Sequence, residues 1–327
     1  MTKAITWLAS TIGKRGYIAR YLRSSSPPGS IVIGTGNERF TPGFMSCDRA
    51  FLMPAIADSD YLETVLELCS RESVTAAVCL ADLDIAVLSK ARDSLQSAGV
   101  ACFFPGQDVA MRFLDKAQTA QFLTKAGFDT PETFTDLAAA IDAVGFPIVV
   151  KPRNGSASKG FGVFRDRRSA EEHWTSSDTP MIAQPFVQGR LVNVEACSDD
   201  TGKLMGISAW ERHVSIAGET LLAETIEHYR AVRTAQQLLE ASPIPGPIDI
   251  DMIEADGKMY VLEVNTRFGG GYPTSHLAGA DFTGALVGAL QGRHPETIFK
   301  YRAGVTMMKE IEPVAFDASR VASAREA

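Results

Sequence analysis

Apolar positions follow two rhythms along this chain. From residue 1 to about 110, short apolar runs (AITWLAS, SIVIGTG, AFLMP, AAVCL and VACFFP) alternate with amphipathic stretches. The runs read as strands. DSDYLETVLELCSRES reads as a helix opened by a capping box, Asp60 with Glu63, and carrying Leu62, Val65, Leu66 and Cys69 on one stripe. Strand–helix alternation predicts a mostly parallel sheet covered by helices.

The rhythm then changes. QDVAMRFLDKAQTAQFLTKAGF reads as one helical stretch ending at Gly127, with Pro131 just beyond. GFPIVVKP is a buried strand bounded by prolines, and RNGSASKGFGVF a small-residue loop running into another strand. After MIAQPFVQG, the segment LVNVEACSDDTGKLMGISAWERH predicts a hairpin turning near Asp200–Gly202. Residues 225–241 predict a helix, which SPIPGP stops before a strand pair, IDIDMIEADGKMYVLEVN, joined at Asp256-Gly257. The chain therefore divides into 1–112, an α/β domain with a parallel sheet; 113–186 and 187–313, two α+β units; and 314–327, a polar tail expected to fray.

Composition narrows the class. The chain has 327 residues, more than one core usually serves, with 45% apolar and 22% charged residues. A net charge of −7 argues against bulk nucleic-acid or anionic-membrane binding, and no apolar run reaches membrane-span length. MTKAITWLASTIGKRG reads as a first strand and not a signal peptide. Cys47, Cys69, Cys79, Cys102 and Cys197 form no CxxC pair, which fits reduced thiols in a cytoplasm. GKRG after the first strand lacks the full GxGxxG pattern of a dinucleotide site.

The chemistry gathers in the second part. Side chains alternate faces along a strand, so Glu263, Asn265 and Arg267 point the same way. A carboxylate beside an amide suits a hard divalent cation, and the arginine suits a phosphate or acyl phosphate. Lys151 ends an apolar strand. The loop behind it, with Asn154, Gly155, Ser156, Ala157, Ser158, Lys159, Gly160 and Gly162, leaves backbone N–H groups free for phosphate oxygens. It is not a Walker loop, because no GK[ST] follows. Lys116, taken alone, is an ordinary solvated helix lysine.

The order DK at 115–116, FPIVVKP, the glycine-rich loop, QPFVQG, IDID and LEVNTRFGGGYP resembles an ATP-grasp enzyme, in the branch similar to one ATP-grasp half of the carbamoyl-phosphate synthase large chain. The resemblance runs from residue 1 to about 313 and implies a pre-ATP-grasp α/β domain followed by two ATP-grasp subdomains. It implies that Lys116 and Lys151 contact the phosphates of ATP, with the 154–162 loop, including Ser156, Ser158 and Gly160, folding over them. Gln184, Pro185, Phe186 and Val187 become the adenine hinge. Asp251, Glu263 and Asn265 become ligands of Mg²⁺ (or Mn²⁺), and Arg267 steadies the transferred phosphoryl group. Gly270, Gly271, Tyr272 and the segment through Ser275 line the acceptor pocket. Beside the resemblance, Arg212 and His213, at the end of WERH, are either contacts for the acid or ordinary strand-end residues.

Three departures stand out. Where the family carries a ribose-binding glutamate this chain has Leu191, with Glu195 as a replacement out of register; Asp251 stands where the nearest branch often has glutamine; and Asn265-Thr266-Arg267 lacks the proline of NPR. The resemblance implies a ligase that activates a small carboxylate as an acyl phosphate and joins it to an amine, with no nucleic-acid or membrane partner and a homodimer as the default assembly. Its rivals are bicarbonate or carbamate phosphorylation and a nucleotide-binding regulator without turnover. The metal assignment also sets a geometric condition. A plain two-residue turn at Asp256-Gly257 pairs Asp251 with Leu262, so pairing Asp251 with Glu263 requires a longer loop or a bulge.

Overall fold

The computed structural model describes residues 3–155, 159–216, 219–293, 301–310 and 312–325. Ser156 and Ser158 of the expected phosphate loop lie outside these residues.

The expected strands of the first part form a parallel sheet: β1 (Thr6–Ser10), β2 (Ile31–Gly36), β3 (Arg49–Leu52), β4 (Ala76–Cys79) and β5 (Ala101–Cys102), in the order β3-β2-β1-β4-β5. Helices on both faces explain why β1 is apolar nearly throughout. A small antiparallel sheet follows, β6 (Ile148–Pro152) flanked by β7 (Gly162–Phe164) and β8 (Met181–Pro185). The large antiparallel sheet contains β9 (Arg190–Ser198), β10 (Leu204–Ile216), β11 (Glu219–Thr225), β12 (Gly246–Ala255), β13 (Lys258–Asn265) and β14 (Thr306–Met308), in the order β13-β12-β9-β10-β11-β14. Phe113 and Leu123 join the core over this large sheet, whereas Leu137, Ile141 and Ala170 pack on the small one. One further core runs from Trp7 and Phe103 of the first domain to Phe268, Tyr272 and Phe282, tying the parallel sheet to the large sheet.

Four local expectations need correcting. The tail does not fray throughout: Val321–Ser323 forms β15 and pairs in parallel with β3, at the edge of the first sheet. The capping box does not form. Asp60 has helical backbone angles (φ −92°, ψ −1°), unlike the extended backbone of a side-chain cap, and its carboxylate pairs with Arg325. The stretch 107–125 is two helices, Gln107–Leu114 and Lys116–Lys125, broken at an extended Asp115. The Asp115 carboxylate accepts from the N–H groups of Ala117 and Gln118 at 2.9 and 3.2 Å and is held by Arg153, so the second helix starts at Lys116. The helix expected from residue 225 begins at Tyr229, because β11 continues through Thr225 and His228 Nδ1 caps the N–H of Ala231.

All five cysteines are buried and unpaired. Among the described residues no helix is long and apolar enough to cross a membrane.

Candidate active site

The hairpin between β12 and β13 resolves the geometric condition. Its turn has two residues, Asp256 (φ 48°) and Gly257 (φ 73°), and Ala255 pairs with Lys258. A bulge then takes up Leu262, so Met252 faces Val261 while Asp251 faces Glu263 and Asp249 faces Asn265. On the other edge of β12, Asp251 faces Asn193 and Asp249 faces Glu195. Cross-strand partners share a face, so three adjacent strands present two rows of acids and amides: Asn193–Asp251–Glu263 and Glu195–Asp249–Asn265. Sequence reasoning missed Asn193 and Asp249, and it gave Glu195 only as an out-of-register ribose contact, not as a partner of Asp249. Their signal was present as polar residues two apart in NVE and DID, the same spacing as Glu263 and Asn265.

Cations from other segments meet this face. Lys116 Nζ lies 3.0 Å from Glu263 Oε1 and donates to the Gly155 carbonyl at 2.8 Å. The cap at Asp115 sends it there, since it starts the helix at that residue. Arg212 Nη2 reaches Asp251 Oδ1 at 3.1 Å and Asn193 Oδ1 at 3.2 Å. Arg267, 8% exposed, bonds Asp82 of the first domain at 3.0 Å, the Phe268 carbonyl at 3.1 Å and Asn265 Oδ1 at 3.3 Å. Lys151 is half-buried and its ammonium has no hydrogen bond or ion pair among the described residues; burial, and secondarily Lys116, depress its pKa, against the pull of Glu263. An unpaired ammonium in such a place suits an incoming phosphate.

The second row is buried deeper. Burial, with Asp251 beside it, pushes the Asp249 carboxyl up to about 7. Glu195 is fully buried and raised well above the carboxylate range, first by burial and then by Asp249. Its Oε2 accepts from the Gly269 N–H at 3.3 Å. Glu195 therefore stands behind Gly269, where no ribose could reach it.

Two cavities meet at the upper row. The first, of about 400 Å³, is lined by Lys116, Lys151, Gly155 and Lys159 at one side, and by Gln184, Pro185, Phe186 and Val187 with Leu191, Ile253 and Leu262 elsewhere. Leu262 and Glu263, though adjacent, both face it because of the bulge. Leu191, with Ile253 and Leu262, leaves that wall apolar. Gly160 lies in the same loop but is absent from the lining; it packs over Pro152. The second cavity, of about 300 Å³, is lined by the loop Thr11–Arg15, Asp82, Asp249, Asn265, Arg267 and Gly270. Arg212, Asp251 and Glu263 line both.

Of the expected acceptor segment, Gly271 through Ser275 are placed elsewhere, Pro273, Thr274 and Ser275 being buried outside the cavity lining. Tyr272 is fully buried in the apolar core against Phe268 and Phe282, its hydroxyl accepting from the Phe282 N–H at 3.0 Å. Gly271 packs against the Trp210 ring, which leaves no room for a side chain. Only Gly270 of that segment reaches the cavity.

The donor set fits a hard divalent cation. Two carboxylates and an amide oxygen on neighbouring strands are all-oxygen ligands, and Arg212 and Lys116 already offset the charge of the two acids. No group of three or more His, Cys, Asp or Glu residues suited to a metal occurs among the described residues, so phosphate oxygens or water would have to complete the shell.

A cleft between two α+β sheets, with lysines on one side and acids on the other, defines an ATP-grasp architecture. Residues 113–271 match the ATP-grasp domain family and residues 8–103 the PylC-like N-terminal domain family, so the chain carries an ATP-grasp domain behind a PylC-like domain. Among individual proteins, it is 25% identical over 263 residues to the carbamoyl phosphate synthase large chain of Halomonas eurihalina, covering 73% of this chain and 23% of that one. The chain thus spans under a quarter of the length of that relative. Among solved structures it is similar to the biotin carboxylase–β-γ-ATP complex from Campylobacter jejuni (TM-score 0.70, 15% identity, 90% of this chain and 73% of that one). It is also similar to L-amino acid ligase from Bacillus licheniformis (TM-score 0.69, 19% identity, 89% and 75%). These structural likenesses concern the fold.

Proposed function

We propose that this protein is an ATP-dependent ligase that activates a small carboxylate as an acyl phosphate and joins it to an amine, releasing ADP and phosphate. One observation carries the reading: Arg212, Asp251 and Glu263 form a wall common to two cavities. A nucleotide in the first brings its γ-phosphate to the wall, and an acid in the second meets it from the other side.

The roles follow from position. Lys116 and Lys151 bind phosphate oxygens, and the apolar wall with the 184–187 segment takes the base. Asp251, Glu263 and Asn265 would hold Mg²⁺, or equally Mn²⁺, which supplies neutralisation of phosphate charge. Arg267 and Arg212 orient the acid carboxylate. That carboxylate oxygen attacks the γ-phosphorus and the bond to the β-phosphate oxygen breaks, leaving ADP. The amine nitrogen then adds to the acyl carbon, phosphate departs, and the nitrogen sheds its proton. Positioning and charge compensation supply the catalysis without a protein nucleophile. Phe161 and Lys159, on the loop over the first cavity, limit water around the acyl phosphate.

The size of the second cavity favours an acid larger than bicarbonate. Liquid water occupies about 30 Å³ per molecule, so some 300 Å³ holds on the order of ten such volumes. The test is ADP release with a panel of acids, using hydroxylamine as a general amine that traps acyl phosphates. Glu263→Gln and Lys151→Ala should lower turnover by at least about 100-fold, on the scale of losing one transition-state electrostatic contact. Near-normal rates in either variant would remove that residue's role, and ADP binding with no turnover on any acid would return the protein to the regulator class.

A further inference from the structure

The charges lining the acceptor cavity are unevenly engaged. Its carboxylates all have cationic partners. Asp82 and Asp249 face Arg267 at 3.0 and 3.9 Å, Asp251 faces Arg212 at 3.1 Å, Glu263 faces Lys116 at 3.0 Å, and Glu219 faces Lys309 at 2.7 Å. Two lining cations, Lys14 and Arg15, have no carboxylate partner among the described residues. Arg15 spends its guanidinium on two carbonyls, Leu80 at 2.8 Å and Phe268 at 3.0 Å. Lys14 beside it makes no hydrogen bond or ion pair among the described residues. The backbone N–H groups of Gly13 and Lys14 likewise find no acceptor there, while the neighbouring Arg15 N–H closes the turn onto Ile12.

This corner lies next to the reacting end. Arg15 and Arg267 both donate to the Phe268 carbonyl, at 3.0 and 3.1 Å. A small molecule whose carboxylate sits at Arg267 therefore shares one cavity with the Lys14 ammonium and two free amide N–H groups, and no unpaired carboxylate among the described lining residues competes for them. Unpaired N–H groups beside a cation suit an oxyanion.

We propose that the acid substrate carries a second anionic group, a carboxylate or a phosphate, which Lys14 and the 13–14 backbone bind while the first carboxylate is activated. This rests on the ligase reading above and adds the substrate class. The loop that makes the contact belongs to the PylC-like domain, so that domain selects the acid and the ATP-grasp domain activates it.

The test uses the full chain with MgATP and hydroxylamine. Acids are compared in matched pairs: glutarate against valerate, aspartate against alanine, and O-phosphoserine against serine. At least one dianionic member should exceed its partner in kcat/KM by about tenfold, the lower end of what a charge-assisted hydrogen bond supplies. Lys14→Glu should bring that ratio near one, chiefly through KM for the dianion, and Lys14→Arg should retain it. The aspartate and phosphoserine pairs separate a carboxylate from a phosphate. Equal rates within every pair, or a Lys14→Glu variant that lowers both members alike, would overturn the inference and leave the ligase reading intact. If no acid releases ADP, the ligase reading fails. Calorimetric binding of the same pairs with MgADP present then decides this inference, and absence of a preference for the dianion overturns it.

Discussion

Gly269 is the point where the buried acids leave no space. A Cβ built there would lie 2.7 Å from Asp249 Cγ and 2.9 Å from its Oδ2, and closer still to Glu195 Oε1. Ordinary carbon contacts are about 3.5–4.0 Å, so the overlap approaches an ångström on two sides. Neither neighbour yields easily: Glu195 is 0% and Asp249 5% exposed, and both are fixed by the register of β9 against β12. Gly269→Ala should therefore cost about 1–3 kcal/mol, as overpacking does, and lower the melting temperature by roughly 2–6 °C. The shift of Asp249 should also disturb Asn265 and Arg267 and reduce turnover, while ADP affinity holds, because Gly269 does not line the nucleotide cavity. Gly257→Ala is the matched control. There φ is 73° and nothing lies within 4 Å of a Cβ, so the cost is backbone strain of about 1 kcal/mol without an effect on turnover. Differential scanning fluorimetry and ADP release measured together distinguish the two. Wild-type melting and turnover in Gly269→Ala would refute the close packing of the two acids.

Other variants probe separate parts of the site. Asp249 has a folded pKa of about 7 against ~3.9 unfolded, so the folded state retains a proton that the unfolded chain releases. Stability should then fall as pH rises between about 4 and 7 in chelated protein, and Asp249→Asn should flatten that slope; an unchanged slope in melting curves at pH 5, 6 and 7 would show that Asp249 does not carry it. Asp82→Ala breaks a buried ion pair of 3.0 Å with Arg267 and should cost about 3–5 kcal/mol together with turnover, as read by denaturant unfolding and ADP release; full activity would separate the first domain from the chemistry. Tyr272→Phe loses the hydroxyl contacts to Phe282 and Ala280, about 0.5–1.5 kcal/mol, and should leave the acceptor KM unchanged; a raised KM would put Tyr272 back in the pocket.

Much of the fold was legible because it is written in local periodicity. Strand–helix alternation foretold the parallel sheet, and the polar residues two apart in β13 foretold which of its side chains share a face. Lys116 was legible only through its company, since the break at Asp115 that aims it depends on Arg153, distant in sequence. The tail looked frayed because three residues, Val321–Ser323, carry too weak a pattern to announce an edge strand; the free edge of β3 decides it.

What the sequence determined alone was which side chains could do chemistry and which face of each strand they occupy, because alternation is a property of the extended backbone. Tertiary structure decided which faces meet. It placed the bulge at Leu262, set Glu195 beside Asp249 and behind Gly269, brought Asp82 to Arg267, and buried Tyr272 in the core. Each of these depends on a contact between segments far apart in the chain, and no local pattern records the neighbour that long-range packing supplies.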